Sequence, residues 1–351
     1  MAKRKLNRRQ QWRIQKIQDE RLARANKKQA KGLSDEQLNT RVHQSTPHQG
    51  IVVSHFGATL DIEDSHSQAI VRCALRQNIG SLVCGDKVIW QTLDNAPTEE
   101  QIQGVVSALE PRDNILARPD FTGQMKPVAA NIDQLFIVTS PIPELNEGLI
   151  DRYLVAAELS HIQPVLVLNK IDTLITEQRS ILEKRIAIYQ QIGYPIIYTS
   201  AKSQDGMTNL LAQLAGKISV FVGQSGVGKS SLINALLPEA QIKEGAVSQA
   251  TNKGTHTTSV SRLYHIQNPL CAEQTSLIDS PGVREFGLWD INKTDVIHGF
   301  IELQPYIKDC HFRDCKHVNE PNCGLLKALD KHKISQQRFD SYHRIVASID
   351  S

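Results

Sequence analysis

Residues 223–230 read Gly-Gln-Ser-Gly-Val-Gly-Lys-Ser and satisfy G-x-x-x-x-G-K-[ST] at every fixed position. No other stretch limits the fold as tightly. Three glycines in eight residues let backbone N–H groups turn inward onto phosphate oxygens, at the positive end of a following helix. Lys229 then neutralises the β- and γ-phosphates, and the Ser230 hydroxyl reaches Mg²⁺. Gln224, Ser225, Val227 and Ser231 complete the loop and its first helical turn. Such a loop works only between a buried strand and a helix. Residues 218–222 (ISVFV) supply the strand, and Lys229–Leu237 has helical spacing.

The surroundings repeat that alternation. Strands are predicted at Gln134–Thr139, Pro164–Leu168, Pro195–Thr199 and 275–278, with helices at Gly148–His161 and Glu177–Ile192. Continuous apolar strands separated by helices imply a parallel sheet covered on both faces. Two strand ends carry further chemistry. Asn169-Lys170-Ile171-Asp172 matches N-K-x-D. A carboxylate at Asp172 accepts from both N1–H and the 2-amino group of guanine, and adenine lacks that pair of donors. The methylenes of Lys170 lie along a base. Ser200-Ala201-Lys202, after the next strand, resembles the partner motif whose backbone N–H meets guanine O6.

Asp279-Ser280-Pro281-Gly282 matches D-x-P-G. Asp279 is expected to hold Mg²⁺ through water, and the Gly282 N–H to sense the γ-phosphate. Gly254-Thr255-His256-Thr257-Thr258 lies in a Gly/Ser/Thr-rich stretch suited to a switch, with Thr257 or Thr258 as the Mg²⁺-sensing hydroxyl. Ordinary GTPases run phosphate loop, switches, N-K-x-D, S-A-K. Here the last two precede the first, so the domain reads as circularly permuted. Termini of a domain that lie close together permit this. The chain then leaves the nucleotide domain just after Gly282, so loss of the γ-phosphate can act directly on the C-terminal segment.

Residues 46–117 are predicted to form a small β-barrel. Six short segments (Gly50–Val53, Ala58–Ile62, Gln68–Leu75, Asp86–Gln91, Gly104–Leu109 and Asn114–Ala117) are punctuated by Gly57, Gly80 and Gly85. An OB-fold is the first reading and an SH3-like barrel the second. Phe56 and Trp90 are its main stacking aromatics, so any RNA contact is expected to favour backbone and shape. Residues 118–130, with two prolines and a glycine, read as a linker, 131–289 as the nucleotide domain and 290–351 as a helical domain. In the last, Cys310-x4-Cys315-x-His317-x5-Cys323 offers three thiolates and an imidazole, the ligand set of a structural tetrahedral zinc site. His311 competes, but its place beside Cys310 makes joint ligation awkward. Residues 324–351 have the spacing of a helix docked on its own domain.

The permuted order, the G-x-H-T-T switch, the barrel and the Cys/His cluster together resemble the bacterial small-subunit-dependent GTPase family known as RsgA or YjeQ. The resemblance covers about residues 46–325. It implies a multidomain fold: an OB-fold, a circularly permuted α/β P-loop GTPase domain and a zinc-binding helical domain. It also implies GTP/GDP, Mg²⁺ and one structural Zn²⁺, binding to the small ribosomal subunit and its rRNA late in assembly, and hydrolysis stimulated by that subunit and coupled to release. Val283 stands where many GTPases carry a water-orienting Gln. His256 is the nearest replacement by motif, and the resemblance points to the same residue; packing or RNA contact is the competing reading. Arg284 reads as a surface arginine.

Charge separates the ends of the chain. Residues 1–45 hold 13 Lys and Arg against 4 Asp and Glu, within an overall net charge of +3. A basic segment with few apolar residues (Trp12, Ile14, Ile17, Leu22) reads as a flexible arm that releases counterions on a phosphate backbone. No apolar run is long enough for a membrane span. No apolar region follows the basic start, and Ser is absent before Ser34, so neither a secretory nor a transit peptide is expected. Six cysteines in 351 residues are too sparse for a disulfide scaffold, and the three within 310–323 read as metal ligands instead. A cytoplasmic monomer without a membrane partner is the expectation. The competing functions are an RNA-binding scaffold with GTP as a structural ligand, and a P-loop ATPase or kinase; Asn169 and Asp172 argue against the second.

Overall fold

The computed structural model describes residues 46–57, 59–76, 79–93, 102–120, 122–239, 261–271, 274–279 and 291–349. The expected arm 1–45, the switch residues His256, Thr257 and Thr258, and Gly282 lie outside the described residues. Among the described residues, no helix is long and apolar enough to cross a membrane. The chain forms two compact units. Among the described residues, one holds those from 46 to Gly80 together with Lys87–Glu110, and the other holds Ser81–Asp86 and those from Pro111 onward.

The first unit is a barrel of β1 (His48–Phe56), β2 (Thr59–Asp64), β3 (Ile70–Leu75), β4 (Lys87–Thr92) and β5 (Gly104–Leu109). β1 pairs with β2 and β4, β2 with β3, and β4 with β5, all antiparallel; β3 and β5 run parallel. The ring closes in the order β1-β2-β3-β5-β4-β1. That connectivity is the five-stranded Greek-key OB barrel, which displaces the SH3-like alternative. Val52, Leu60, Ile62, Cys73, Val88, Trp90, Val105 and Val106 fill it. Trp90 is therefore core, its ring stacked on His48 with centroids 4.8 Å apart. Phe56 stays 43% exposed beneath the Arg72 guanidinium, 5.3 Å from its ring centre.

The region expected to be a linker is structured. β6 (Ile115–Pro119) and β7 (Met125–Ala130) form an antiparallel hairpin with a bulge at Leu116/Ala117. The segment Asn114–Ala117, expected in the barrel, belongs to this hairpin instead. Pro119 ends one strand and Pro127 lies beside the bulge, and a two-stranded sheet has edges where a missing N–H is tolerated. Asp120 closes the turn by accepting from Thr122 N at 2.7 Å and Gln124 N at 3.1 Å.

The nucleotide-type sheet contains β8 (Gln134–Thr139), β9 (Gln163–Leu168), β10 (Ile196–Tyr198), β11 (Ile218–Val222), β12 (Arg262–His265) and β13 (Ser276–Asp279). Its order is β10-β9-β8-β11-β13-β12, parallel except for β12, which runs antiparallel to β13. Helices α1 (Glu147–Leu159), α2 (Thr176–Ile192), α3 (Met207–Leu214) and α4 (Lys229–Leu236) follow β8, β9, β10 and β11 in turn. The chain steps outward from β8 to β10 and restarts beside β8 at β11. That reversal makes a crevice at the carboxyl ends of the two strands. Phe136, Phe221, Leu210, Leu232 and Leu277 anchor the core on one face.

The C-terminal segment carries α5 (Lys293–Val296), α6 (Gln304–Ile307), α7 (Gly324–Asp330) and α8 (Gln336–Ser348). It does not separate at residue 290. Phe300, Leu303, Leu325, Phe339 and Tyr342 pack in one cluster with Val155 of α1. Arg338 of α8 is fully buried and ion-paired with Asp151 of α1. The expected helix docked on its own domain is α8.

Candidate functional site

The loops that leave the carboxyl ends of the parallel strands β8, β9, β10 and β11 are tied to one another by named hydrogen bonds. The loop after β11 is shaped by glycine. Gly223 has φ +139°, and an added Cβ would lie 2.1 Å from the Val138 carbonyl oxygen of β8. Gly228 has φ +93°, caps α4, and would drive a Cβ to 2.4 Å from Asn169 Nδ2. Only glycine allows both that backbone shape and that approach. Gln224, Ser225 and Gly226 form the exposed crown, Val227 is buried, and Ser230 and Ser231 sit in the first turn of α4. The Lys229 ammonium lies over the loop, donating to Gly223 O at 2.7 Å and Gln224 O at 2.8 Å. Burial pushes the Tyr153 phenol up, opposed by a hydrogen bond from the Gly223 backbone, so α1 holds the loop's first residue.

Asn169 is a strut. Buried at the end of β9, it donates from Nδ2 to Val227 O at 3.0 Å and accepts Ala201 N at 3.3 Å. One amide thus links the phosphate loop, N-K-x-D and S-A-K. The Ala201 N–H expected to face a base oxygen is engaged by that long bond. Lys170 adopts a left-handed backbone (φ +62°), and its ammonium bridges Gly226 O and Ile142 O, the latter at 2.8 Å. Its stem therefore runs from the base-reading turn toward the phosphate loop. Asp172 is exposed, and its Oδ1 accepts the Ser200 hydroxyl at 2.6 Å. Ser200 Oγ in turn accepts Ser203 N at 3.1 Å. The carboxylate is aimed by one hydroxyl, with lone pairs left for a ligand's donors. Lys202 is exposed, and Asp279 ends β13, half-buried. The sequence reading missed the loop after β8. Ser140 Oγ donates to Ile142 O at 2.8 Å, shaping the carbonyl that receives Lys170. Its signal was Pro-Ile-Pro shortly after the apolar run Leu-Phe-Ile-Val of β8.

The second constellation is the Cys/His cluster. The donor atoms of Cys310, Cys315, His317 and Cys323 lie within 4.8 Å of one another. Cys310 Sγ is 3.6 Å from His317 Nδ1 and 4.0 Å from Cys323 Sγ, and His317 Nδ1 is 3.4 Å from Cys323 Sγ. A Cys₃His tetrahedron with metal–sulfur bonds of about 2.3 Å and a metal–nitrogen bond of about 2.0 Å has edges of roughly 3.5–3.8 Å. The donor set and its spacing fit a structural zinc. Burial, then Cys323 and Cys310, push the Cys315 thiol up to about 12. A divalent cation at the centre reverses that cost by deprotonating its thiols. Burial also lowers the His317 pKa and keeps the imidazole neutral, the ligating form. Outside the ligands, Glu320 accepts Lys316 N and Val318 N at 2.9 Å and Asn319 N at 3.1 Å. Those backbone bonds, Lys316 first, draw its carboxyl down to about 2 and brace the turn carrying His317. His311 is outside the cluster.

A P-loop on the central strand, with base-reading loops on strands that precede it in the chain, defines a circularly permuted P-loop GTPase. The family model for the RsgA GTPase matches residues 109–289. The small ribosomal subunit biogenesis GTPase RsgA of Pseudomonas fluorescens is 47% identical over 352 residues, covering 99% of this chain and 98% of that one. The protein of the same description from Ectopseudomonas mendocina is 47% identical over the same span. Among solved structures, YjeQ from Thermotoga maritima superposes with a TM-score of 0.68 at 30% identity, over 86% of this chain and 98% of that one. YloQ, a circularly permuted GTPase, gives 0.68 at 26% identity over 88% and 96%. The chain belongs to the RsgA GTPase family.

Proposed function

We propose that this protein hydrolyses GTP during maturation of the small ribosomal subunit. Hydrolysis is stimulated by that subunit and coupled to release. The observation that carries the reading is Asn169, which joins the phosphate loop to both base-reading motifs. Full-length relatives named for this role are 47% identical to the chain. In this reading Gly223, Gln224, Ser225, Gly226, Val227, Gly228, Lys229, Ser230 and Ser231 cradle the phosphates. Asp172 reads the guanine edge, Lys170 lies along the base, and Ser200, Ala201 and Lys202 flank it. Ser230, Asp279 and Thr258 (or Thr257) hold Mg²⁺, which when bound neutralises charge on the β- and γ-oxygens. Gly282 senses the γ-phosphate. His256 orients the attacking water, because Val283 has no polar atom to do so. Cys310, Cys315, His317 and Cys323 hold one structural zinc. The division into arm 1–45, barrel, GTPase domain and zinc-bearing segment assigns rRNA contact to the arm and barrel. The protein works as a cytoplasmic monomer without a membrane partner.

The test is GTP turnover by the purified chain, alone and with small or large ribosomal subunits. A large increase with small subunits only is expected. No increase with either would overturn the reading in favour of an RNA-binding scaffold that uses GTP as a structural ligand.

A further inference from the structure

The turn after the first cluster residue is His311-Phe312-Arg313-Asp314, and all four residues are exposed. Phe312 keeps 42% of its surface in solvent. Cys310 and Cys315 anchor the two ends of the turn. The His311 and Phe312 rings meet edge to face, with centroids 4.8 Å apart at 85°, which restricts the Phe312 ring. An exposed phenylalanine costs free energy in water, yet here it stands in solvent on a turn bounded by two cluster cysteines rather than folded into the nearby core. Lys308, Arg313 and Lys316 are also exposed on this stretch, and their side chains make no ion pair among the described residues. Asp309 and Asp314 are the exposed acids of the stretch, while Glu320 is committed to backbone N–H groups.

A protein partner would need a contiguous apolar patch or a pocket for a protruding side chain. Here the ring's large exposed apolar neighbour on the loop is Val318 alone. A nucleobase needs one flat ring and nearby cations for its phosphates. We infer that Phe312 is a stacking platform for an unpaired RNA base, with Arg313, Lys316 and Lys308 reaching the adjoining phosphates. The inference rests on the ribosomal role proposed above, and it names a site outside the nucleotide crevice.

The test uses the full zinc-loaded chain and two ligands, purified small subunits and a short single-stranded oligoribonucleotide. Phe312→Ala is expected to weaken binding about 5- to 150-fold, the range for losing one base–aromatic stack. Zinc content and unstimulated GTP turnover should equal those of the parent. Phe312→Trp should retain affinity and Phe312→Leu should not. Arg313→Ala, an exposed change that leaves the ring in place, should lower the salt dependence of binding by about one unit of slope. Equal affinity of Phe312→Ala and parent for either ligand that the parent binds would overturn the inference. Full rescue by Phe312→Leu would also overturn it, by assigning the ring to an apolar protein contact. If the parent binds the oligoribonucleotide but not the subunit, the ribosomal reading fails. The Phe312 comparison on the oligoribonucleotide then still decides this one.

Discussion

Replacing Arg338 with Met tests whether the C-terminal helix is fastened to the nucleotide domain by charge. Arg338 and Asp151 are both wholly shielded from solvent, and Glu302 is 13% exposed. Arg338 Nη1 donates to Asp151 and Nε donates to Glu302 at 2.6 Å, while Tyr189 OH donates to Asp151 at 2.9 Å. The guanidinium stands 4.4 Å over the Phe300 ring. Burial opposes its charge, but Asp151 and then Glu302 outweigh that and raise its pKa above the usual value. Methionine keeps the stem's volume and removes the cation, leaving Asp151 buried with one hydroxyl donor. Breaking a buried pair in this way costs about 3–5 kcal/mol. For a unit of this size the midpoint of thermal unfolding should fall by roughly 6–20 °C. Adding Asp151→Asn should recover a large part of the loss, since the orphaned charge then disappears. An unchanged midpoint for Arg338→Met, or strictly additive effects of the two substitutions, would refute the argument.

Four further outcomes are expected. Lys229→Ala should abolish tight nucleotide binding, measured by titration with a fluorescent GTP analogue; unchanged affinity would remove Lys229 from phosphate binding. Asp172→Asn should shift preference from guanine to xanthine nucleotides, because the amide donates to the xanthine 2-oxygen; retained guanine selectivity in competition assays would show that another residue reads the base. His256→Ala should keep GTP affinity and slow subunit-stimulated hydrolysis by about 10²- to 10⁴-fold, the usual contribution of a positioned acid or base; a normal rate would clear His256 of that role. Elemental analysis should find about one zinc per chain in a closed four-ligand site, and Cys315→Ser should lose it; full retention would exclude Cys315 as a ligand.

The chemistry-bearing loops were legible because each is a short contiguous segment with its meaning in its own backbone. Gly-Gln-Ser-Gly-Val-Gly-Lys-Ser needs only a strand before it and a helix after it. The same holds for the turn at Asp172 and for the cysteine spacing. The barrel's strands were legible as alternation and glycine punctuation, although its closure through the β1–β4 pairing was not. Asn169 was legible as a member of N-K-x-D, but its bracing contacts were not. Its partner Val227 is 58 positions away, and nothing local says that its amide braces loops rather than faces a base.

The sequence by itself determined the nucleotide class and the permutation, since motif order along the chain is a fact about the chain. It also singled out Cys310, Cys315, His317 and Cys323, whose donor atoms the fold brings within 4.8 Å of one another. Tertiary structure alone decided that residues 115–130 make a hairpin, because prolines break a strand's pairing only where a donor is required. It also decided that α8 belongs with α1. The Arg338–Asp151 contact joins positions 187 residues apart. In the sequence Arg338 is one of two arginines on an amphipathic helix. Burial between two carboxylates and two rings gives it a structural role, and burial is a property of the packed chain, not of any segment.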